Sequence, residues 1–397
     1  MFAPKVVHRG IFWMQVIIRN NMLSLYVHIP YCVKKCPYCG FYSTPYAIDS
    51  ADEFIAALRS EAEGYKTEFI DHLFHTVYIG GGTPTALNTR QLGEVLTTVR
   101  SCFEISEDAE FTVEANPNTI TREHLDVLRE KGANRLSLGV QSFSNEVLST
   151  LGRLHTSEEA EQAFYLARSA GFQNIGMDLM YGIPGQTMAQ WEDALKTSLV
   201  CRPEHVSVYS LSLDDGSLFY QLFEAGNFEC PDDDRAAEMY ECAISILQGS
   251  GYRRYEISNL SLPGFECRHN RNYWARGEYL GLGPAAWSFI SQRRHYNIAD
   301  TAEYARRIAK GVSPIADSEL PGPAQASRET LLLSLRTVEG LDLQQYRNEY
   351  GDLFLEQLER NMAPLVSEGL LEVHEGRATL TQRGILLSNE ALVRLST

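Results

Sequence analysis

From Met22 onward, short apolar runs alternate with longer stretches in which apolar residues recur every three to four positions. The first run, Leu23-Ser24-Leu25-Tyr26-Val27-His28-Ile29, reads as a strand. Residues 51–65 then read as an amphipathic helix, with Phe54, Ile55, Leu58 and Ala62 on one face. The pattern repeats down the chain. Strands are expected over 75–79, 110–113, 135–140, 174–177 and 205–209. Helices are expected over 92–99, from Thr121, over 157–170 and over 186–199. Six strands alternating with helices predict an α/β protein with a parallel sheet, either an open doubly wound sheet or a βα barrel. In both, binding sites form at the carboxyl ends of the strands.

After residue 215 the regularity breaks. A helix is expected over 233–247, a loop-rich region over 252–289, and helices again from Arg328, with 353–365 amphipathic. Residues 313–326 hold three prolines and read as a linker. Residues 371–381 read as a hairpin turning at Glu375-Gly376, which gives the tail a helix-then-wing order. The expected organisation is an extension at 1–21, a strand–helix domain at 22–215, a second region at 216–312, the linker at 313–326 and a winged-helix-like domain at 327–397.

A chain of 397 residues is long enough for a barrel plus an accessory domain, and 44% hydrophobic with 22% charged residues is ordinary for a globular protein. The net charge of −16 changes the reading of the wing. Nucleic-acid binding depends on basic residues that neutralise phosphates, and here Glu372 and Glu375 stand beside Arg377, so the wing is expected to pack rather than to bind DNA. The apolar residues in 1–21 are interrupted by Gln15 and Arg19 and fall short of the ~20 needed to span a bilayer. No integral membrane segment is expected. Cys102, Cys201, Cys230 and Cys242 are scattered and read as small buried hydrophobes, which fits a reducing, cytoplasmic location.

The candidate chemistry lies in Cys32-Val33-Lys34-Lys35-Cys36-Pro37-Tyr38-Cys39, directly after the first strand. Structural zinc usually closes four ligands, and no second cysteine pair accompanies these three. Three thiols at Cys-x3-Cys-x2-Cys spacing suit a [4Fe-4S] cluster with one iron left open; a three-thiolate zinc site and buried thiols are the alternatives. The next strand ends in Gly80-Gly81-Gly82-Thr83-Pro84, where glycines let the backbone approach a ligand and present its N–H groups.

The cysteine loop, with an aromatic before its last cysteine, resembles the signature of the radical S-adenosylmethionine (SAM) family. That resemblance implies a partial (βα)6 barrel in which Cys32, Cys36 and Cys39 hold the cluster and the open iron chelates SAM. It also implies SAM contacts at Tyr26, Tyr38, Gly81, Gly82, Thr83, Glu114, Gln141, Arg153 and Asp178. In the family, a reduced cluster cleaves SAM to methionine and a 5′-deoxyadenosyl radical. A flavodoxin- or ferredoxin-type electron donor is then expected, with Lys34 and Lys35 as candidate contacts.

The Gly-Gly-Gly-Thr-Pro run is similar to that of proteins related to oxygen-independent coproporphyrinogen III oxidase, HemN. Those oxidases carry a fourth cysteine where this chain has Phe41, and a long segment before the first strand that is missing here. Both departures match the heme chaperone branch, HemW. His269-Asn270-Arg271-Asn272-Tyr273-Trp274 is similar to the HNxxYW motif of that branch, proposed to bind heme. The branch implies a heme chaperone that hands heme to an acceptor protein, with His269 as axial ligand and Asn270, Tyr273 and Trp274 around it. Taken alone, a histidine beside Tyr and Trp reads as a core residue, as do Cys267 and His28. A coproporphyrinogen III dehydrogenase, a HemN-like methyltransferase and a reductive heme-degrading enzyme are the rival activities.

Overall fold

The structure, a computed structural model, describes residues 22–228 and 232–396. The extension at 1–21, Cys230 and residue 397 lie outside the described residues.

Six parallel strands stand side by side in chain order: β1 (Leu23–Ile29), β2 (Leu73–Gly81), β3 (Glu104–Ala115), β4 (Arg135–Gln141), β5 (Asn174–Tyr181) and β6 (His205–Ser210). Helices α1 (Ile48–Lys66), α2 (Thr89–Cys102), α3 (Arg122–Glu130), α4 (Ser157–Ser169) and α5 (Met188–Cys201) connect them. The helix starts are written locally. Asn88 with Gln91, Thr156 with Glu159 and Thr187 with Gln190 each form a reciprocal capping box. β1 and β4 are buried almost throughout, as strands covered on both faces are.

The region expected to be loop-rich, 252–289, contributes strands to both edges of this sheet. Helix α6 (Asp233–Gly249) precedes it, and β7 (Asn259–Ser261) pairs antiparallel with β6. Helix α7 (Arg268–Trp274) then crosses beneath the barrel, and β8 (Tyr279–Leu282) joins β1 in parallel. Strands of three or four residues carry too little periodicity to be seen in a sequence. β9 (Trp287–Ile290), β10 (Arg293–Asn297) and, after helix α8 (Thr301–Ala309), β11 (Ile315–Glu319) continue the sheet antiparallel.

The expected linker at 313–326 therefore needs correction. It contains β11, paired to β10 at the sheet's edge, and the start of helix α9 (Pro323–Ser334). Its prolines fit both elements: Pro314 precedes an edge strand, and Pro323 occupies the first turn of a helix, where a missing N–H costs nothing.

The tail has its own apolar core, including Leu331, Leu358, Leu365, Leu380 and Leu392. Helices α10 (Leu343–Tyr350) and α11 (Asp352–Ser367) lead into the hairpin β12 (Leu371–His374) and β13 (Arg377–Leu380). Its turn sits at Glu375 (φ 48°) and Gly376 (φ 77°), the two left-handed residues of a tight hairpin. Among the described residues, no helix is long and apolar enough to cross a membrane.

Candidate functional site

Just past β1, Tyr31–Cys32 pairs in parallel with Thr44–Pro45 and pins the cysteine loop at its base. Thr44 N–H donates to Pro30 O at 2.7 Å and Tyr46 N–H to Cys32 O at 3.0 Å, while Cys39 N–H to Cys36 O at 3.1 Å makes the inner turn. The loop leaves Cys32, Cys36 and Cys39 half-buried around a cavity of about 420 Å³, a size usual for small-molecule sites. Among the described residues, no three Cys, His, Asp or Glu side chains gather closely enough to hold one metal ion.

Eight of the nine residues expected to contact SAM line this cavity: Tyr38, Gly81, Gly82, Thr83, Glu114, Gln141, Arg153 and Asp178. Arg153 organises them. Its Nη1 donates to Cys36 Sγ at 3.4 Å, and its Nη2 to Asn116 Oδ1 at 2.5 Å and Gly139 O at 2.7 Å. Asn116 Nδ2 donates to Thr83 Oγ1 at 2.8 Å, and that hydroxyl lies 3.5 Å from Cys32 Sγ. Two thiols are thus joined through Arg153, Asn116 and Thr83. Burial pushes the Cys39 thiol up, away from the thiolate form that binds metal. Gln141 has φ +66°, a left-handed conformation for a non-glycine residue at the carboxyl end of its strand.

Tyr26 is the exception. It is not among the residues lining the cavity, and its hydroxyl lies 3.0 Å from His28 Nδ1. His28 Nε2 lies 2.9 Å from the Tyr42 carbonyl, which can only accept, so Nε2 carries the ring proton. Burial lowers the His28 pKa to about 4 and keeps the ring neutral. Nδ1 is then an acceptor, and Tyr26 donates its one proton to it. The glycine run also differs from expectation. The Gly81 N–H donates to Glu114 Oε2 at 3.2 Å, Gly82 N–H to Ile29 O and Thr83 N–H to Tyr31 O, both at 2.7 Å, so these three groups are engaged within the protein. The glycines are required by proximity: a Cβ on Gly81, at φ +104°, would lie 2.5 Å from the His28 ring.

The cavity holds two half-buried carboxyls. Glu114 accepts from Tyr78 Oη at 2.7 Å, and burial raises its pKa to about 7. Asp178, with Ser137 Oγ at 3.4 Å, is also raised, again by burial.

The histidine motif lies elsewhere, on α7 beneath the amino ends of the strands. Glu110 of β3 caps this helix, accepting from Arg268 N–H at 3.0 Å, His269 N–H at 3.1 Å and Cys267 Sγ at 3.3 Å. His269 points up into the barrel and is 1% exposed. Its Nδ1 is 2.7 Å from Thr76 Oγ1, whose own proton goes to Ser24 Oγ, so Nδ1 is the donor. Nε2, the remaining lone pair, accepts from the Tyr273 hydroxyl at 2.9 Å. Burial lowers the ring's pKa to about 3. His269, expected as an axial heme ligand, therefore presents no free nitrogen in this arrangement. The motif also divides: Asn270 lines the thiol cavity, whereas Trp274 lines a larger cavity of about 830 Å³ on the far side of the helix, with Arg268, Arg271 and Arg377.

Comparison with known proteins agrees with this architecture. The radical SAM superfamily matches residues 26–197, and the HemN C-terminal domain matches 323–387. The heme chaperone HemW of Bacillus subtilis is 36% identical over 372 residues, covering 93% of this chain and 98% of its own. The chain belongs to the HemW family of radical SAM proteins. A second HemW, from Mycobacterium tuberculosis, is 36% identical over 375 residues, 94% of each chain. Among solved structures, the coproporphyrinogen III oxidase HemN of Escherichia coli superposes with a TM-score of 0.84 at 27% identity, covering 96% of this chain and 92% of that one.

Membership of the radical SAM family implies a [4Fe-4S] cluster and SAM, and the donor set of this cavity fits both. Three soft thiol ligands face it, an arginine flanks one of them, and Arg153 Nε is buried with no partner of its own. Sequence reasoning missed Asn116, Tyr78, Arg135 and His205, which also line the cavity. Asn116 could have been flagged, since it follows Glu114 by two at a strand end. Arg135 and His205 begin their strands, where a polar residue ordinarily reads as exposed.

Proposed function

We propose that this protein binds heme and hands it to an acceptor protein, with Cys32, Cys36 and Cys39 holding a [4Fe-4S] cluster beside SAM. The observation that carries the reading is similarity along nearly the whole length of relatives named heme chaperone. Phe41, where HemN-type oxidases have a further cysteine, is 68% exposed and lines the cavity mouth. This supports a chaperone over an oxidase.

When bound, the cluster and SAM supply one-electron chemistry; the chain binds, orients and shields them. Arg153 donates a hydrogen bond to Cys36 Sγ and holds that thiol in place. Glu114 and Asp178 line the cavity as carboxyls that can hydrogen-bond a ligand, and Tyr26 stands behind it with its proton committed to His28. His269 serves as the heme ligand once Tyr273 releases Nε2. Lys34 and Lys35 are exposed on the cluster loop and suit an acidic, flavodoxin-type electron donor. The expected location is the cytoplasm. The reading is tested by incubating heme-loaded protein anaerobically with SAM and reductant and analysing the tetrapyrrole. Intact heme, transferable to an apo-acceptor, is the expected result; ring opening, or decarboxylation of added coproporphyrinogen, would replace the chaperone with an enzyme.

A further inference from the structure

The floor of the thiol cavity holds a cation with almost nothing to bind. Arg135, the first residue of β4, is 1% exposed. A guanidinium carries five N–H donors, yet the hydrogen bonds of this one among the described residues come to a single long contact, Nη1 to Thr112 Oγ1 at 3.4 Å. Its Nε is buried without an acceptor. Cys267, Glu110, Tyr78 and Tyr255 face it through space, but Glu110 is already engaged by the Cys267 thiol and the first N–H groups of α7.

A second unmet group stands beside it. His205 opens β6, is 1% exposed, and has Nε2 2.8 Å from the Tyr255 hydroxyl, while its Nδ1 is buried without a partner. Gly176 keeps the space between the two open: a Cβ there would lie 3.4 Å from Arg135 Nη2 and 3.4 Å from His205 Nδ1. Arg135, His205 and Asn270 all line the cavity, and the Asn270 side chain has no hydrogen bond among the described residues. Burying a charged group with its donors unmet is strongly unfavourable, and such a group in a native fold calls for an explanation. A bound acceptor supplies one.

We propose that this floor is a subsite for the carboxylate group of a small ligand, apart from the thiol end of the cavity. Arg135 Nε and Nη2 form one edge of the guanidinium and hold both carboxylate oxygens. His205 Nδ1 donates to the carboxylate in the tautomer whose Nε2 accepts from the Tyr255 hydroxyl. Glu114 and Asp178 share the cavity, and burial favours their protonated forms, which lessens their repulsion of an anion. The subsite does not depend on where heme binds.

Propionate is the probe, and chloride at equal ionic strength the control, on the cluster-reconstituted chain without SAM. Thermal unfolding should show a saturable rise with propionate and none with chloride. Arg135→Met should lose that response. Gly176→Ala, which keeps Arg135 and fills the gap, should weaken the propionate response at least tenfold, and it decides the matter if Arg135→Met does not fold. An equal response in wild type and both variants would put the anion elsewhere. No response in wild type would overturn the subsite, leaving the floor to water, and Arg135→Met melting well below wild type would make Arg135 a structural counter-charge. The response should survive added SAM; its abolition would assign the carboxylate to SAM itself and overturn a separate subsite.

Discussion

The cysteine loop at the carboxyl end of the barrel and the histidine helix beneath it are both candidate metal-binding motifs, and the fold treats them oppositely. Cys32, Cys36 and Cys39 are half-buried and face a cavity, and one of them is flanked by a guanidinium. His269 is buried, and both of its ring nitrogens have protein partners. A donor atom can bind a metal only if its lone pair is uncommitted. The loop turns its three thiols toward open space, whereas the helix must first release a hydrogen bond before His269 can bind a metal.

The largest expected effect is at the loop. Cys36→Ala should abolish stable cluster content after anaerobic reconstitution, while Cys267→Ala, at a buried thiol donating to Glu110, should leave it intact. Iron–sulfur absorbance distinguishes the two; wild-type absorbance in Cys36→Ala would break the contrast. A second test uses pH, because the two regions respond with opposite sign. Glu114 has its pKa raised from 4.5 to about 7 by burial, so its contribution to stability is present below pH 4.5 and is lost as pH rises through 7, a change of about 3 kcal/mol. His269 is lowered from 6.5 to about 3, so its contribution is present above pH 6.5 and is lost as pH falls through 3. Urea unfolding of Glu114→Gln should flatten the loss on the alkaline side and leave the acid side unchanged; parallel profiles would contradict the half-buried carboxyl. The smallest effect sharpens the comparison most. Tyr273→Phe removes the hydroxyl that holds Nε2, a hydrogen bond of about 1 kcal/mol, and should tighten heme binding about fivefold if His269 is the ligand. Weaker binding in that variant would give Tyr273 a direct role.

Much of this was legible in the sequence where one local pattern sufficed. All six parallel strands and the Glu375-Gly376 turn follow from short-range rules. What was not legible depends on which way a side chain points after the sheet has curled. Arg135 and His205 look like strand-end polar residues until the curled sheet buries them. The Gly81, Gly82 and Thr83 N–H groups looked free for a ligand until Glu114, Ile29 and Tyr31 took them up. Tyr26 sits at the expected position on β1, yet its proton is directed to His28 by a tautomer that only the Tyr42 carbonyl reveals. The linker at 313–326 was misread because proline was taken as a breaker, when at a sheet edge and a first helical turn it is compatible with regular structure.

The most direct test of the account is an anaerobic heme titration of the reconstituted protein, followed by absorbance, in wild type and His269→Ala. The account predicts saturable binding in wild type, with the heme spectrum surviving addition of SAM and reductant, and markedly weaker binding in His269→Ala with the cluster intact. Absence of saturable binding in wild type, or consumption of the heme, would contradict it.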